Sequence, residues 1–353
     1  MKLPIRLGIV GTGLQWTGSH LPAIDALGDA FQIAALCARD AARRHELQLR
    51  HPSARVYDTY QTLVTDREID AVVICLPIPL NAPASVAALD AGKHVFVEKP
   101  FAHSVQAGQD VLSAVTRSGR RLMILEQLLY TDAWAQLRAV MDSGEIGEVA
   151  MFDHASHGFI DTKIDPWGFG KTSWRIDAKF PLGSFFDGGV HEMALRSHLF
   201  GRVERVYARG QNFRPEHGEY DNVNAIIDYA NGVQGVVSHS GLMGGSRGYF
   251  HIRGTLGLIV VEFWRALIEN KITGQSREIR FADSAGDFWK SLHPRMWREL
   301  ATCLVTGGPD RYPLEQALAD IEALEAIDRS IKNGQSVALP EVSSSVDRAG
   351  STR

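Results

Sequence analysis

Short apolar runs recur through the first third of the chain, and amphipathic stretches fill the gaps between them. The runs at 5–10, 32–37, 71–76, 94–97 and 121–125 read as strands. The stretches at 19–28, 40–49, 60–65, 81–91 and 104–117 read as helices. Alternation of this kind predicts a parallel sheet with helices on both faces. The segment 70–77 is almost continuously apolar, as a strand buried on both faces must be.

Near Gly144 the pattern changes. Segments 147–153, 203–210, 222–229, 233–240, 249–253 and 258–262 read as strands with little helix between them. Asn231-Gly232 sits between two of them and signals a hairpin. A second domain with an open, mainly antiparallel sheet is expected. Segments 296–305 and 314–331 read as closing helices, the second stopping at Asn333-Gly334. The predicted fold class is therefore α/β, a doubly wound parallel sheet followed by an α+β domain. The expected division is 1–125, 126–340 and a Ser-rich, disordered tail at 341–353.

A length of 353 residues accommodates two domains. The chain is 45% hydrophobic and 22% charged, with a net charge of −4 and no basic tract, which argues against nucleic acid as a partner. No run approaches the roughly 18 apolar residues of a membrane helix. The three cysteines, Cys37, Cys75 and Cys303, form no C-x-x-C pair. They are expected as thiols in a reducing compartment, the cytoplasm, and the start of the chain has no signal-peptide pattern.

Candidate chemistry begins at Glu98-Lys99-Pro100, directly after the apolar run Val95-Phe96-Val97. If that run is a parallel strand, Lys99 stands at its carboxyl end, where open α/β sheets bind ligands. A lysine there either serves a ligand or packs its stem while its ammonium reaches water. The first strand runs into Gly11-Thr12-Gly13, a turn that lets backbone N–H groups approach a pyrophosphate. The spacing G-x-G-x-x-G is not met: Trp16 holds the third-glycine position, and Gly18 follows two residues later. A one-residue insertion in the turn accounts for this. The second strand ends in Ala38-Arg39 where an NAD site would carry an acidic residue. Arg39 suits a 2′-phosphate, which favours NADP and leaves NAD open, with Asp40 as the alternative acidic group.

Asp187 and His191 are spaced i, i+4, on one face if they share a helix. A histidine can exchange a proton near neutral pH and a carboxylate can orient it. The plainer reading is a helix cap and a packed ring. No metal site is expected: of Asp153, His154 and His157, the middle residue should point away from the other two in a strand.

Together these features resemble the glucose–fructose oxidoreductase / inositol dehydrogenase / rhizopine-catabolism (Gfo/Idh/MocA) oxidoreductases. The resemblance covers Ile5 to about Leu339. It rests on the glycine turn with His20-Leu21-Pro22-Ala23, on Ala91-Gly92-Lys93-His94-Val95 running into Glu98-Lys99-Pro100, on Ser143-Gly144-Glu145-Ile146-Gly147, and on Asp187-x-x-x-His191. It implies an N-terminal Rossmann domain and a C-terminal sheet that commonly mediates homodimers or homotetramers. It implies hydride transfer between a nicotinamide cofactor and a carbinol or carbonyl carbon of a sugar, sugar acid or cyclitol. Lys99 would contact substrate and nicotinamide, His191 would act as general acid/base, and Asp187 would be its helper. Implied cofactor contacts are Gly11, Thr12, Gly13, Leu14, Gln15, Ala38, Arg39, Leu76, Pro77, Asn81, Glu98 and Lys99. Candidate substrate contacts, beside Lys99, Asp187 and His191, are Gln127, Tyr130, His157, Trp174 and Arg175. Each also has a structural reading: Trp174 as core, His157 facing solvent, Tyr130 at an interface.

This sequence departs from the family pattern at Asn81, where many members have histidine, and at Ala194, where many have aspartate. It departs again at Glu126-Gln127-Leu128-Leu129-Tyr130, where others carry an arginine-proline stretch. All border the expected cleft. Two other outcomes known in such families are a redox-neutral glycoside hydrolase using bound NAD and a non-enzymatic sugar-sensing regulator.

Overall fold

The computed structural model describes residues 2–158, 172, 174, 182–214, 218–241, 248–262, 265–281 and 288–340. Six strands form the first sheet: β1 (Ile5–Val10), β2 (Phe31–Cys37), β3 (Arg55–Tyr57), β4 (Ala71–Ile74), β5 (His94–Glu98) and β6 (Leu122–Leu125). Their order is β3-β2-β1-β4-β5-β6, all parallel. This is the doubly wound order whose strand sequence reverses beside β1, placing a crevice at the carboxyl ends of β1 and β4. Every residue of β4 is buried, as its unbroken apolar run requires. The intervening helices are α1 (Leu21–Asp25), α2 (Ala41–Arg50), α3 (Tyr60–Val64), α4 (Ile78–Asp90) and α5 (Val105–Ser118).

After a 3₁₀ turn, Gln127–Tyr130, and α6 (Asp132–Asp142), the chain builds a second sheet. Its strands are β7 (Val149–His157), β8 (Val203–Gln211), β9 (Asn222–Tyr229), β10 (Gln234–Ser240), β11 (Tyr249–Gly254), β12 (Gly257–Glu262), β13 (Arg265–Asn270), β14 (Ser276–Arg280) and β15 (Val337–Ala338). The order is β14-β13-β12-β11-β7-β10-β9-β8-β15. Only the β7–β10 pair among these is parallel, so the expectation of a mainly antiparallel sheet holds. Three helices complete the described chain: α7 (Ser184–Phe200), α8 (Phe288–Thr306) and α9 (Leu314–Asn333).

Two apolar cores result, and α7 contributes to both. Its Phe185, Phe186, Val190 and Met193 pack in the core of the second sheet. Its Ala194 and Leu195 pack in the core of the first. On a helix, positions 187, 191, 194, 195 and 198 lie along one stripe. The stripe that carries Asp187 and His191 therefore faces the first domain. Helix α8 returns to the first domain as well, through Leu292, Met296, Trp297 and Leu300. The helix expected at 296–305 thus begins earlier, and its core-facing residues belong with the N-terminal sheet. Among the described residues, no helix is long and apolar enough to cross a membrane.

Candidate active site

The glycine turn follows β1. Gly11 has φ +95°, and a Cβ there would lie 2.2 Å from the carbonyl oxygen of Cys75, so the crowding of β1 against the end of β4 admits only glycine. Gly13 is different: nothing lies within 4 Å of a Cβ built on it, which leaves its face open to a ligand. The helical stretch starts at once, with Thr17 N–H donating to Gly13 O at 2.9 Å. The insertion expected in the turn is accommodated inside this helix. Residues Trp16–His20 form a π-helical turn, and Leu21 N–H reaches back five residues to Trp16 O. A π turn is how a helix absorbs one extra residue, and here it buries both Trp16 and His20.

Gly11, Thr12, Gly13, Ala38, Arg39, Leu76 and Pro77 line one cleft of about 880 Å³, together with Arg43. Leu14 and Gln15 open the helical stretch beside it without lining it. At the end of β2, the Asp40 carboxylate accepts from Arg43 N–H at 2.8 Å and caps α2. Arg44 donates to the carbonyls of Ala38 (3.0 Å) and Arg39 (2.6 Å). Arg43 donates to Thr12 O at 2.8 Å, tying the β2–α2 loop to the glycine turn. Arg43 was not foreseen in the sequence; its one signal is its place in the first turn of a helix capped by Asp40.

Two expected cofactor contacts point elsewhere. Asn81 is fully buried, and its amide is committed. It donates to Glu98 O (3.2 Å) and Pro100 O (2.9 Å) and accepts from Leu76 N–H (3.3 Å). It clamps the end of β4 to the Glu98-Lys99-Pro100 segment. The Glu98 carboxylate turns inward to His20 Nε2 at 2.6 Å. The Trp297 indole N–H donates to His20 Nδ1 at 3.1 Å, so in the neutral ring the proton sits on Nε2 and is given to Glu98. Burial opposes ionisation of Glu98, but this hydrogen bond and nearby positive charge hold its carboxyl below the ordinary range.

Lys99 lies at the carboxyl end of β5, next to the paired end of β6, where Glu98 is in register with Leu125. The next residues along each strand are Lys99 and Glu126, about 4.8 Å apart by strand spacing. Helix α7 lies across them with Asp187 and His191 one turn apart, about 6 Å along its axis. The two spacings are of similar size, and each strand end meets one helical residue. Lys99 Nζ donates to Asp187 Oδ1 (3.0 Å) and to Asp187 O (3.0 Å). His191 Nδ1 is 2.7 Å from both oxygens of Glu126, which is completely buried. The structure thus brings together Lys99, Asp187 and His191 as expected, but pairs Asp187 with Lys99. Glu126 faces the ring of His191, a role the sequence did not reveal.

The remaining candidates divide. Gln127 is buried in the 3₁₀ turn after Glu126. Tyr130 is corrected from a substrate contact to a core residue: it is 1% exposed in the first core, with the Arg311 guanidinium 5.0 Å from its ring centroid. His157 Nε2 is 3.0 Å from Ser238 Oγ. Trp174 packs against the second core, and Arg175 lies outside the described residues. Asp153 bonds Arg253 and His154 bonds Arg196, so the three residues considered for a metal join three different partners.

A doubly wound sheet with a glycine-turn cleft, a lysine at a strand end and a helix-borne histidine beside the next strand end defines an NAD(P)-dependent oxidoreductase. Comparison with known proteins agrees. A family model described as the oxidoreductase family with an NAD-binding Rossmann fold matches residues 5–126, and the GFO/IDH/MocA C-terminal domain model matches residues 134–260. The chain belongs to the GFO/IDH/MocA oxidoreductases. It is 27% identical to an uncharacterized oxidoreductase of Rhizobium meliloti over 94% of this chain and 98% of the relative. It is 28% identical to the scyllo-inositol 2-dehydrogenase (NADP(+)) IolU of Bacillus subtilis over 73% of this chain and 76% of the relative. The crystal structure of an oxidoreductase from Thermotoga maritima superposes with a TM-score of 0.82 at 29% identity, covering 95% of this chain and 98% of that one.

Proposed function

We propose that this protein is an NADP-preferring dehydrogenase that interconverts a carbinol and a carbonyl on a sugar or cyclitol. The observation that carries this reading is the convergence of Lys99, Asp187 and His191 at the carboxyl ends of β5 and β6. The nicotinamide, when bound, supplies the hydride chemistry. Gly11, Thr12 and Gly13 would hold the pyrophosphate, and Gly13, with open space over it, fits that approach. Arg39 in the loop after β2 and Arg43 in the first turn of α2, with Asp40 occupied as a helix cap, support a 2′-phosphate. Lys99 would donate a hydrogen bond to the reacting oxygen, with Asp187 holding its ammonium. His191 would take the hydroxyl proton. A polyol substrate is supported by the likeness to an inositol dehydrogenase.

Assembly through the second sheet fits the same reading. One face of that sheet is covered by helices, and the other exposes Tyr207, Ile226 and Val236 in one cross-strand row. Such a row reads as a subunit contact in a homodimer or homotetramer; light scattering of the purified chain measures it. The three free cysteines suit the cytoplasm.

The test of function is nicotinamide absorbance with NADP or NAD and a panel of inositols, aldoses and sugar acids. Turnover with NADP is expected. Silence across the panel, with NADPH binding demonstrated, overturns the reading.

A further inference from the structure

We propose that Glu126 is the positioning residue of His191, fixing its ring as the Nδ1–H tautomer and so leaving Nε2 as the proton acceptor. The inference deepens the hydride-transfer reading and rests on it for its chemical meaning. Both Glu126 oxygens lie 2.7 Å from Nδ1. As the carboxylate, Glu126 accepts hydrogen bonds and gives none, so Nδ1 carries the hydrogen. In a neutral imidazole the lone pair then resides on Nε2.

The carboxylate is itself held. Leu128 N–H donates to Glu126 Oε1 at 3.2 Å, and Glu126 N–H donates to Ile124 O at 3.0 Å. Glu126 is fully buried, whereas the His191 side chain keeps 18% of its surface exposed. The ring is thus anchored from the interior and open on another side. Asp187 is otherwise engaged, since its Oδ1 accepts from Lys99. Position 194, one turn beyond His191, is a core alanine. The orienting carboxylate comes instead from the turn after β6, 65 residues before His191 in the chain.

When His191 Nε2 takes a proton from a hydroxyl, the ring becomes a cation with hydrogens on both nitrogens. The Nδ1–H keeps donating to Glu126, and the new positive charge faces a carboxylate already in place. No second proton need move, which is the arrangement that makes an orienting carboxylate effective.

The test is ring ¹⁵N NMR of the full chain labelled at histidine, at alkaline pH, with His191 assigned by its loss in His191→Asn. The expected wild-type spectrum has a pyrrole-like Nδ1 and a pyridine-like Nε2. Glu126→Leu should lose this pattern and move toward the Nε2–H form that free histidine favours. Asp187→Asn should keep it. An Nε2–H wild type, or an Nδ1–H form that survives Glu126→Leu, overturns the proposal. Because the wild-type tautomer is read directly, the result stands even if the leucine variant does not fold. No substrate is needed, so a silent sugar panel with the expected tautomer would overturn the functional reading and leave the positioning role intact. Where Glu126→Leu still binds NADPH, kcat should fall by about 10²–10⁴-fold with KM nearly unchanged.

Discussion

Lys99 and Asp187, 88 residues apart in the chain, meet twice: the ammonium donates to the Asp187 carboxylate and to the Asp187 backbone carbonyl, each at 3.0 Å. One contact reads the side chain and the other reads the position of helix α7 itself. The ammonium is therefore aimed by the junction between the two domains, and its side chain is only 13% exposed.

Removing either reacting group should slow the chemistry and spare the cofactor. Lys99→Ala is expected to reduce kcat by about 10²–10³-fold, as loss of a positioned hydrogen-bond donor does. His191→Ala is expected to cost about 10²–10⁴-fold. NADPH affinity, measured by fluorescence titration, should change less than threefold in both, roughly the 0.65 kcal/mol that such a ratio represents. Unchanged turnover in either variant would sink the assignment.

Asn81 should matter for both stability and rate. Its replacement by alanine leaves the carbonyls of Glu98 and Pro100 and the N–H of Leu76 without their side-chain partner. A loss of about 2–4 kcal/mol in urea unfolding is expected. The loosened Lys99 segment should also lower kcat. Full activity with normal stability would show that the clamp is dispensable.

The two arginines should separate by cofactor. Arg39 is exposed at the cleft and, on the proposed reading, would pair with a 2′-phosphate, so Arg39→Ala is expected to weaken NADPH by roughly 10–100-fold, the scale of a charged hydrogen bond, and NADH little. Arg43 also holds Thr12 O, so Arg43→Ala should weaken both cofactors. Equal losses of NADPH and NADH in Arg39→Ala would remove the case for NADP preference.

Asp320 should give the fold a pH dependence. Burial pushes its carboxyl up to about 6, against hydrogen bonds from Ser197 (2.5 Å), Tyr312 (2.7 Å) and Gln316 (3.0 Å). A carboxyl raised above its unfolded value keeps its proton in the folded state. Its stabilising contribution is full below about pH 4 and is lost as pH rises through about 6, by roughly 3 kcal/mol. Asp320→Asn should therefore gain stability relative to the parent at pH 8 and not at pH 4. Parallel urea melts at the two pH values read this difference; an identical offset at both would refute it.

Much of this was legible in the sequence because strands buried on both faces advertise themselves. β1, β4 and β5 are nearly unbroken apolar runs, and their order along the chain dictates a parallel sheet. The i, i+4 spacing of Asp187 and His191 was readable for the same local reason. Strand β14, Ser-Arg-Glu-Ile-Arg, was not, since it is an edge strand without a buried face. Which carboxylate serves which partner was not legible either. Glu126 and His191 are 65 residues apart, and their meeting depends on how α7 crosses the ends of β5 and β6. Tyr130 read as a candidate because a tyrosine near a domain junction is chemically able; only tertiary packing assigns it to the interior.

The crossing of α7 over two strand ends also decides how this enzyme can be recombined. A chimera joined between Leu125 and Glu126 would inherit the Glu126–His191 pair whole from one parent, but would draw Lys99 from one and Asp187 from the other. Such a hybrid keeps its proton acceptor oriented by native parts while its ammonium depends on how a foreign helix seats. Misalignment between parents should then surface first at Lys99, and a crossover moved upstream of β5 would restore both pairs to a single lineage.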